Sequence, residues 1–347
     1  METNLHNYLQ GIADAIKEKT GDTTINAQDF ASKIESIEVG GGSAPRYTGH
    51  ADVEGLKAIG WDDDDIAYFQ EHGVNWMEED DEYHKVPEDN KALYGVLDAN
   101  NISTYKARIV YLPKIDTSNV KSLYNVFNGC WALVAIPKLD THNVTNMNIM
   151  FFSCYSLVTI PPLDTQNVTN MAGMFNGCSS LKAIPLLDTS KVTNMNSMFN
   201  GCNALVDIPN LNTGSVTNMG LMFNECRSLI SIPPLDTQKV TDMNRLCQSA
   251  RSLKKVSALD ALSNNDTTQM FAQIASLEFL NLKNLKQSLS LNSSSLLTKE
   301  SLLYIINNEA AIEPITIKLA AYAYTRLAED ADVVAALANH PNVSLAK

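Results

Sequence analysis

One period dominates this sequence: from Ile109 to about residue 280 the same apolar residues return every 24 positions. One column reads Phe127, Phe151, Phe175, Phe199, Phe223, Cys247 and Phe271, and another Leu123, Met147, Met171, Met195, Met219 and Met243. A fixed period of this size implies stacked turns, each burying its neighbour's apolar side. Seven copies keep register without an insertion, so at strand spacing the array is about 35 Å long.

The cleanest copy runs from Leu181 through Ile184, Leu187, Val192, Met195, Met198 and Phe199 to Cys202, and these positions are expected to point inward. The segments around Leu-x-x-Ile and Val-Thr-x-Met are expected to pair as parallel strands between turns. Pro185 and the pair Asp188-Thr189 mark corners, and Asn200-Gly201 suggests a tight turn. Asn128, Asn176, Asn200 and Asn224 are placed to satisfy corner backbone groups as a ladder.

Cysteine follows the same register. Cys130, Cys154, Cys178, Cys202 and Cys226 recur every 24 residues, while Cys247 sits in the aromatic column. No CxxC pair exists to suggest zinc or thioredoxin-type chemistry. The expectation is free buried thiols acting as small apolar fillers.

The flanking segments read differently. Residues 1–39 suggest two short helices, one carrying Leu5, Leu9, Ile12 and Ile16, the next Phe30, Ile34 and Ile37. Such a pair buries little surface alone, so it is expected to dock on an assembly. Residues 40–46 form a Gly-rich linker. Residues 47–108 read as a small, mainly helical domain with acidic clusters at 62–65 and 78–82. Those clusters suit helix N-termini and a solvated face; a calcium site is the sharper alternative, although no EF-hand spacing is present. Residues 281–347 read as an α/β cap, with a helix from Thr298 to about Asn308, a strand over 315–319, a helix from about Arg326 to Ala338 and a last strand near Asn342 to Leu345.

Charge separates these units. Residues 50–98 hold 15 acidic against 3 basic side chains, whereas residues 109–280 hold 11 of each. An acidic domain joined to a neutral array argues against a nucleic-acid partner. No apolar run approaches the roughly 20 residues of a membrane span, so no membrane insertion is expected. The segment Met1 to His6 lacks a basic n-region and an apolar h-region and does not read as a Sec signal peptide.

Catalytic and metal chemistry find little support. The six histidines, His6, His50, His72, His84, His142 and His340, show no paired metal spacing. No nucleophile elbow, P-loop or dinucleotide fingerprint is present. The reading is therefore a non-enzyme without cofactor or metal. The threonine column Thr145, Thr169, Thr193, Thr217 and Thr241 could suit ice, but regular hydroxyls also follow from any regular repeat. A binding signal comes from the position after the column cysteine, occupied by Trp131, Tyr155, Ser179, Asn203 and Arg227. Polar occupants in later turns place this column in solvent, where Trp131, Tyr155 and Arg227 become candidate binding residues. The alternative is that the two aromatics pack against the acidic domain before them.

The repeat Ile-Pro-x-Leu-Asp-Thr-x-x-Val-Thr-Asn-Met-x-x-Met-Phe-x-Gly-Cys resembles the BspA-like leucine-rich repeats of bacterial surface proteins. That resemblance covers about half the chain and implies an α+β, parallel-stranded leucine-rich-repeat-type solenoid. It also implies adhesion to proteins or host surfaces, with no cofactor. The segment Ile12 to Gly21, with Phe30 and Ile34 to Ile37, is similar to a segment of phage and prophage tail or appendage proteins. The run Leu297 to Ile306 resembles the cap that follows such repeats in phage-like proteins of gut bacteria. Together they imply a phage-type virion protein, made in the bacterial cytoplasm. Its N-terminus would hold other virion proteins and its solenoid a host protein or glycan, with a homo-oligomer, a trimer by tail-fibre analogy, as a further expectation. The alternatives are a bacterial surface adhesin exported without a Sec signal and a glycan-cleaving tail appendage.

Overall fold

The structure, a computed structural model, describes residues 117–264, 267 and 269–347, together with Asp63. The helical segment, the linker and the acidic domain with its clusters, Asp63 apart, lie outside the described residues, as does the start of the array at 109–116.

The inward positions of the repeat are buried, apart from Val120 in the first described turn, which is half-buried. The Leu, Ile, Leu, Val, Met, Met, Phe and Cys columns form one continuous core that runs on into the C-terminal elements. Side-chain shape fixes how it stacks. The Phe127, Phe151, Phe175, Phe199 and Phe223 rings lie face to face in a single file, with centroids 5.3, 5.6, 5.7 and 5.8 Å apart. Offset stacking at this separation adds about 0.5–1.5 kcal/mol per pair beyond the area buried.

The backbone joins turns in a way the sequence did not reveal. In place of parallel strands, the Val-Thr-Asn-Met segments touch through single parallel bridges, Ser122 to Asn146, Asn170, Asn194, Asn218 and Asp242. Beyond each bridge, alternate N–H groups donate to the next turn: Leu123 to Asn146 O, Asn125 to Asn148 O, Phe127 to Met150 O and Gly129 to Phe152 O, at 2.8–3.1 Å. The intervening residues close β-turns within their own turn, as when Cys130 N donates to Phe127 O. A ribbon of linked turns replaces a strand because two residues per turn are left-handed. Asn125, Ile149, Gly173, Ser197, Leu221 and Arg245 make one such column, and Gly129, Ser153, Gly177, Gly201, Glu225 and Ser249 the other. A strand needs extended residues throughout, so these positions interrupt it.

Polar side chains hold the corners. Asp140, Asp164, Asp188, Asn212, Asp236 and Asp260 each accept from the backbone N–H two residues on, at 2.9–3.3 Å. Asn146, Asn170, Asn194, Asn218 and Asp242 do the same at the bridge, at 2.9–3.0 Å. Both are Asx-turns, which is why the repeat keeps Asp or Asn there. The corner is followed by a buried threonine in every turn from Thr117 to Thr237, and Thr117, Thr141, Thr189, Thr213 and Thr237 donate forward to the next turn's corner carbonyl at 2.7–2.9 Å. Thr165 Oγ1 is buried with no partner among the described residues. The expected asparagine ladder is partial: Asn224 donates to Asn200 at 2.8 Å, but Asn128 bonds Asn125 in its own turn.

Extended strands appear toward the C-terminal side. Strands β1 (Ser231–Ile232), β2 (Lys255–Asp260) and β3 (Phe279–Lys283) form a parallel sheet at the Leu-x-x-Ile position. A second parallel sheet, in the order β4-β5-β6, consists of β4 (Leu289–Leu291), β5 (Ile315–Leu319) and β6 (Val343–Ala346). Three helices accompany it: α1 (Lys299–Asn307), α2 (Ala321–Leu327) and α3 (Ala331–Asn339). Thr298 caps α1, and the buried Ser301 hydroxyl accepts from Leu280 N on β3 at 2.9 Å. The helix thus covers a strand edge that would otherwise invite another chain. The single helix expected from Arg326 is two helices, because Asp330 accepts from Asp332 N and Val333 N and so starts α3 afresh.

Candidate functional site

The column after the cysteines stands on the ribbon of linked turns. Its backbone is tied turn to turn, with Ser156 N donating to Trp131 O, Ser180 N to Tyr155 O and Ala204 N to Ser179 O, each at 3.1 Å. The buried cysteine before each residue fixes its outward direction. Trp131 is 53% exposed and Tyr155 47%, which for rings of this size leaves a large apolar surface in water. The two rings stack on each other with centroids 6.2 Å apart and planes 29° from parallel. Trp131 therefore covers one face of Tyr155, and the other face looks along the array toward Ser179.

Arg227 belongs to the same column but not to the aromatic pair. Three rungs separate it from Tyr155, about 14 Å at strand spacing. It is held by Glu225, whose Oε2 accepts from the guanidinium at 3.0 Å, and both side chains are nearly half exposed. Between them lie Ser179, whose hydroxyl donates to Tyr155 O at 3.2 Å, and Asn203. Asn203 Oδ1 is buried with no hydrogen-bond partner among the described residues. Asn203 is legible in the sequence as a polar occupant of this column, but its identity alone does not tell that its oxygen lacks a donor.

The core beneath is chemically quiet. All six cysteines are free and buried. They do more than fill space: Cys154, Cys178, Cys202 and Cys226 donate to the carbonyls of Phe127, Phe151, Phe175 and Phe199 at 3.0–3.1 Å. Burial pushes the Cys178, Cys202, Cys226 and Cys247 thiols well above their ordinary range, which suppresses the reactive thiolate.

Other polar groups are engaged locally. Thr145, Thr169, Thr193, Thr217 and Thr241 are exposed, but each hydroxyl donates to the carbonyl one turn earlier at 3.2–3.3 Å. His142 pairs with Asp140 at 2.5 Å and His340 with Glu309 at 3.2 Å. Among the described residues no group of three metal-ligating side chains converges, and no helix is long and apolar enough to cross a membrane. The remaining histidines lie outside the described residues.

The repeat itself decides the family. The family described as "Mycoplasma protein of unknown function, DUF285" matches residues 99–204 and again 181–284, together more than half of the chain. The chain belongs to this family. Its DUF285 segments take in all of the column from Trp131 to Arg227, so the candidate site lies within the family's repeat and not in the cap. The BspA-like pattern of this DUF285 chain stands on that match. Among solved structures, a crystal structure of a leucine-rich repeat protein from T. pallidum is similar at 21% identity, over 47% of this chain and 77% of that one, with a TM-score of 0.35. No curated protein matches the chain.

Proposed function

We propose that this chain is a non-enzymatic recognition protein, in which a solenoid of seven 24-residue turns presents the Trp131–Tyr155 column to a surface ligand. The stacked, half-exposed aromatic pair is the observation that carries the reading. Exposed aromatics on a rigid backbone lose little entropy on binding and anchor interfaces. A core of inert thiols and stacked rings supplies that rigidity.

The setting we propose is a phage-type tail or appendage. The N-terminal segment, similar to those of phage appendage proteins, would join the chain to other virion proteins as a homo-oligomer, a trimer by tail-fibre analogy. The solenoid would then meet a host-cell protein or glycan. No cofactor, metal, nucleic acid or membrane insertion enters this reading. Two comparisons test it. Full-length protein is expected to associate with assembled tails, and a form lacking residues 1–45 to lose that association; unchanged association of the shorter form refutes the anchor. Replacing both Trp131 and Tyr155 by alanine is expected to cut binding to intact host cells by about tenfold or more, as loss of two interface anchors implies. Equal binding by this variant refutes the recognition surface.

A further inference from the structure

Between the Leu and Ile columns, the first two turns are covered where later turns are bare. Ala135 is 4% exposed, whereas Ala183, the same residue type at the same position two turns on, is exposed. Val134 and Thr159 are buried with Ala135, but Lys182, Asp207 and Ile230 at the equivalent positions are exposed. Pro137 and Pro161 are buried, while Pro185, Pro209 and Pro233 are only half-buried. A regular array exposes equivalent positions alike, so the difference comes from outside the regular stack. These burials are those of one chain, so the cover is part of that chain. It lies on the N-terminal side: the covered patch ends between Thr159 and Ala183, and the C-terminal helices and strands follow at the opposite end of the array. The preceding residue of the Ala135 column, Tyr111, does not suffice. It stands two rungs before Thr159, about 10 Å at strand spacing, which is further than one tyrosine side chain spans.

We infer that the acidic segment, residues 47–108, docks on this patch and forms an intramolecular interface with the first two turns. Connectivity and charge choose it over other parts of the chain. The array begins at Ile109, one rung before Leu133, so a segment ending at 108 is delivered to this end of the stack. Residues 1–39 are set off from it by the Gly-rich linker and by the acidic segment itself. The patch is apolar at its centre, with Val134, Ala135, Pro137 and Pro161, and has Lys138 and Lys182 exposed at its margins. Between the Leu and Ile columns no acidic side chain occurs before Asp207. Residues 50–98 supply the complement, 15 acidic against 3 basic side chains together with Trp61, Tyr68, Phe69 and Trp76. Apolar groups at the centre and opposite charges at the rim are what an interface between two folded units needs. The docking also leaves the aromatic column open. Trp131 is 53% and Tyr155 47% exposed, so the acidic segment takes the Leu-x-x-Ile face and not the Trp131–Tyr155 pair. The same face is left bare from the third turn onward.

Two measurements on the full-length chain test this. The first asks whether the patch is covered in solution. The six native thiols are buried, so a neutral maleimide reads a cysteine added at the surface. Ala135→Cys is expected to be labelled slower than Ala183→Cys by about tenfold or more, because the reagent must wait for the cover to open. Equal rates overturn the inference. The second asks what the cover is, and needs no variant. Wild-type protein is treated with a carbodiimide, which joins a lysine amine to a carboxylate in contact with it, and the joined peptides are identified by mass spectrometry. Lys138 or Lys182 is expected to be joined to an aspartate or glutamate between residues 50 and 98. Joining of these lysines to residues 1–39 instead, or to no carboxylate of 50–98, overturns the assignment. A mixture of unlabelled and 15N-labelled protein tells one chain from two. Products of a single isotope are expected; products carrying both isotopes would place a second copy on the patch and overturn the intramolecular interface.

Discussion

The phenylalanine file makes a quantitative demand on stability. Phe175 is fully buried, with Phe151 at 5.6 Å on one side and Phe199 at 5.7 Å on the other. Phe175→Ala removes a large side chain from a packed core and costs about 3–5 kcal/mol. Of this, about 0.5–1.5 kcal/mol belongs to each ring pair. Phe199→Ala is equivalent. If each ring interacts only with adjacent rungs, the double substitution at 175 and 199 is less destabilising than the sum by that pair energy. The pair 151 and 199, with Phe175 between them, should be additive within about 0.3–0.5 kcal/mol. Equilibrium urea unfolding of wild type, singles and doubles measures both cycles. Fluorescence and far-ultraviolet circular dichroism must give one transition, since arrays of this kind can unfold in parts. Coupling as large across 151 and 199 as across 175 and 199 would refute a nearest-neighbour core.

Two further predictions follow from the corners. Gly177 has φ +80°, and a Cβ there would lie 3.3 Å from the Ser153 Cα; Gly177→Ala should lower stability by about 1–2 kcal/mol, while Ser153→Gly, relieving φ 59°, should raise it by up to about 1 kcal/mol, with no shift in either melting temperature as the contrary result. Asp260 supplies the pH dependence. Its burial alone would raise the pKa, but hydrogen bonds from Asn284 and Leu262 N and the Lys283 ammonium at 3.3 Å together hold it below the usual carboxylate range. A depressed folded-state pKa means that the contribution is present above the unfolded value, about 3.9, and is lost as pH falls through the folded one. Asp260→Asn should therefore flatten the acid limb of the urea midpoint against pH, and an unaltered limb would remove the assignment.

The core was legible in the sequence because repetition averages away local ambiguity: Leu181 alone says little, but the same residue type at 133, 157, 205, 229, 253 and 277 names a buried column. The outward face was legible by the complementary rule, since Ser179, Asn203 and Arg227 could not share a core position. The mode of joining was not. Leu221 and Glu225 give no sign of a left-handed backbone, because the neighbouring turns impose it. Helix α2 escaped for want of a signal: Ala320 stands at its N-cap and makes no side-chain cap bond. The open valence of Asn203 depends on what lies near it, which a single sequence does not state.

The turn-to-turn ladder also governs how such a chain can change. Each rung meets the next in the same register, so cutting the chain at any corner and inserting one further copy leaves every donor facing an equivalent acceptor. The array therefore lengthens in whole units without a seam. A unit added between Tyr155 and Arg227 would widen the interval they bound by one rung and leave the core unaltered. Gauge, as well as residue identity, becomes something that duplication and loss of repeats can set.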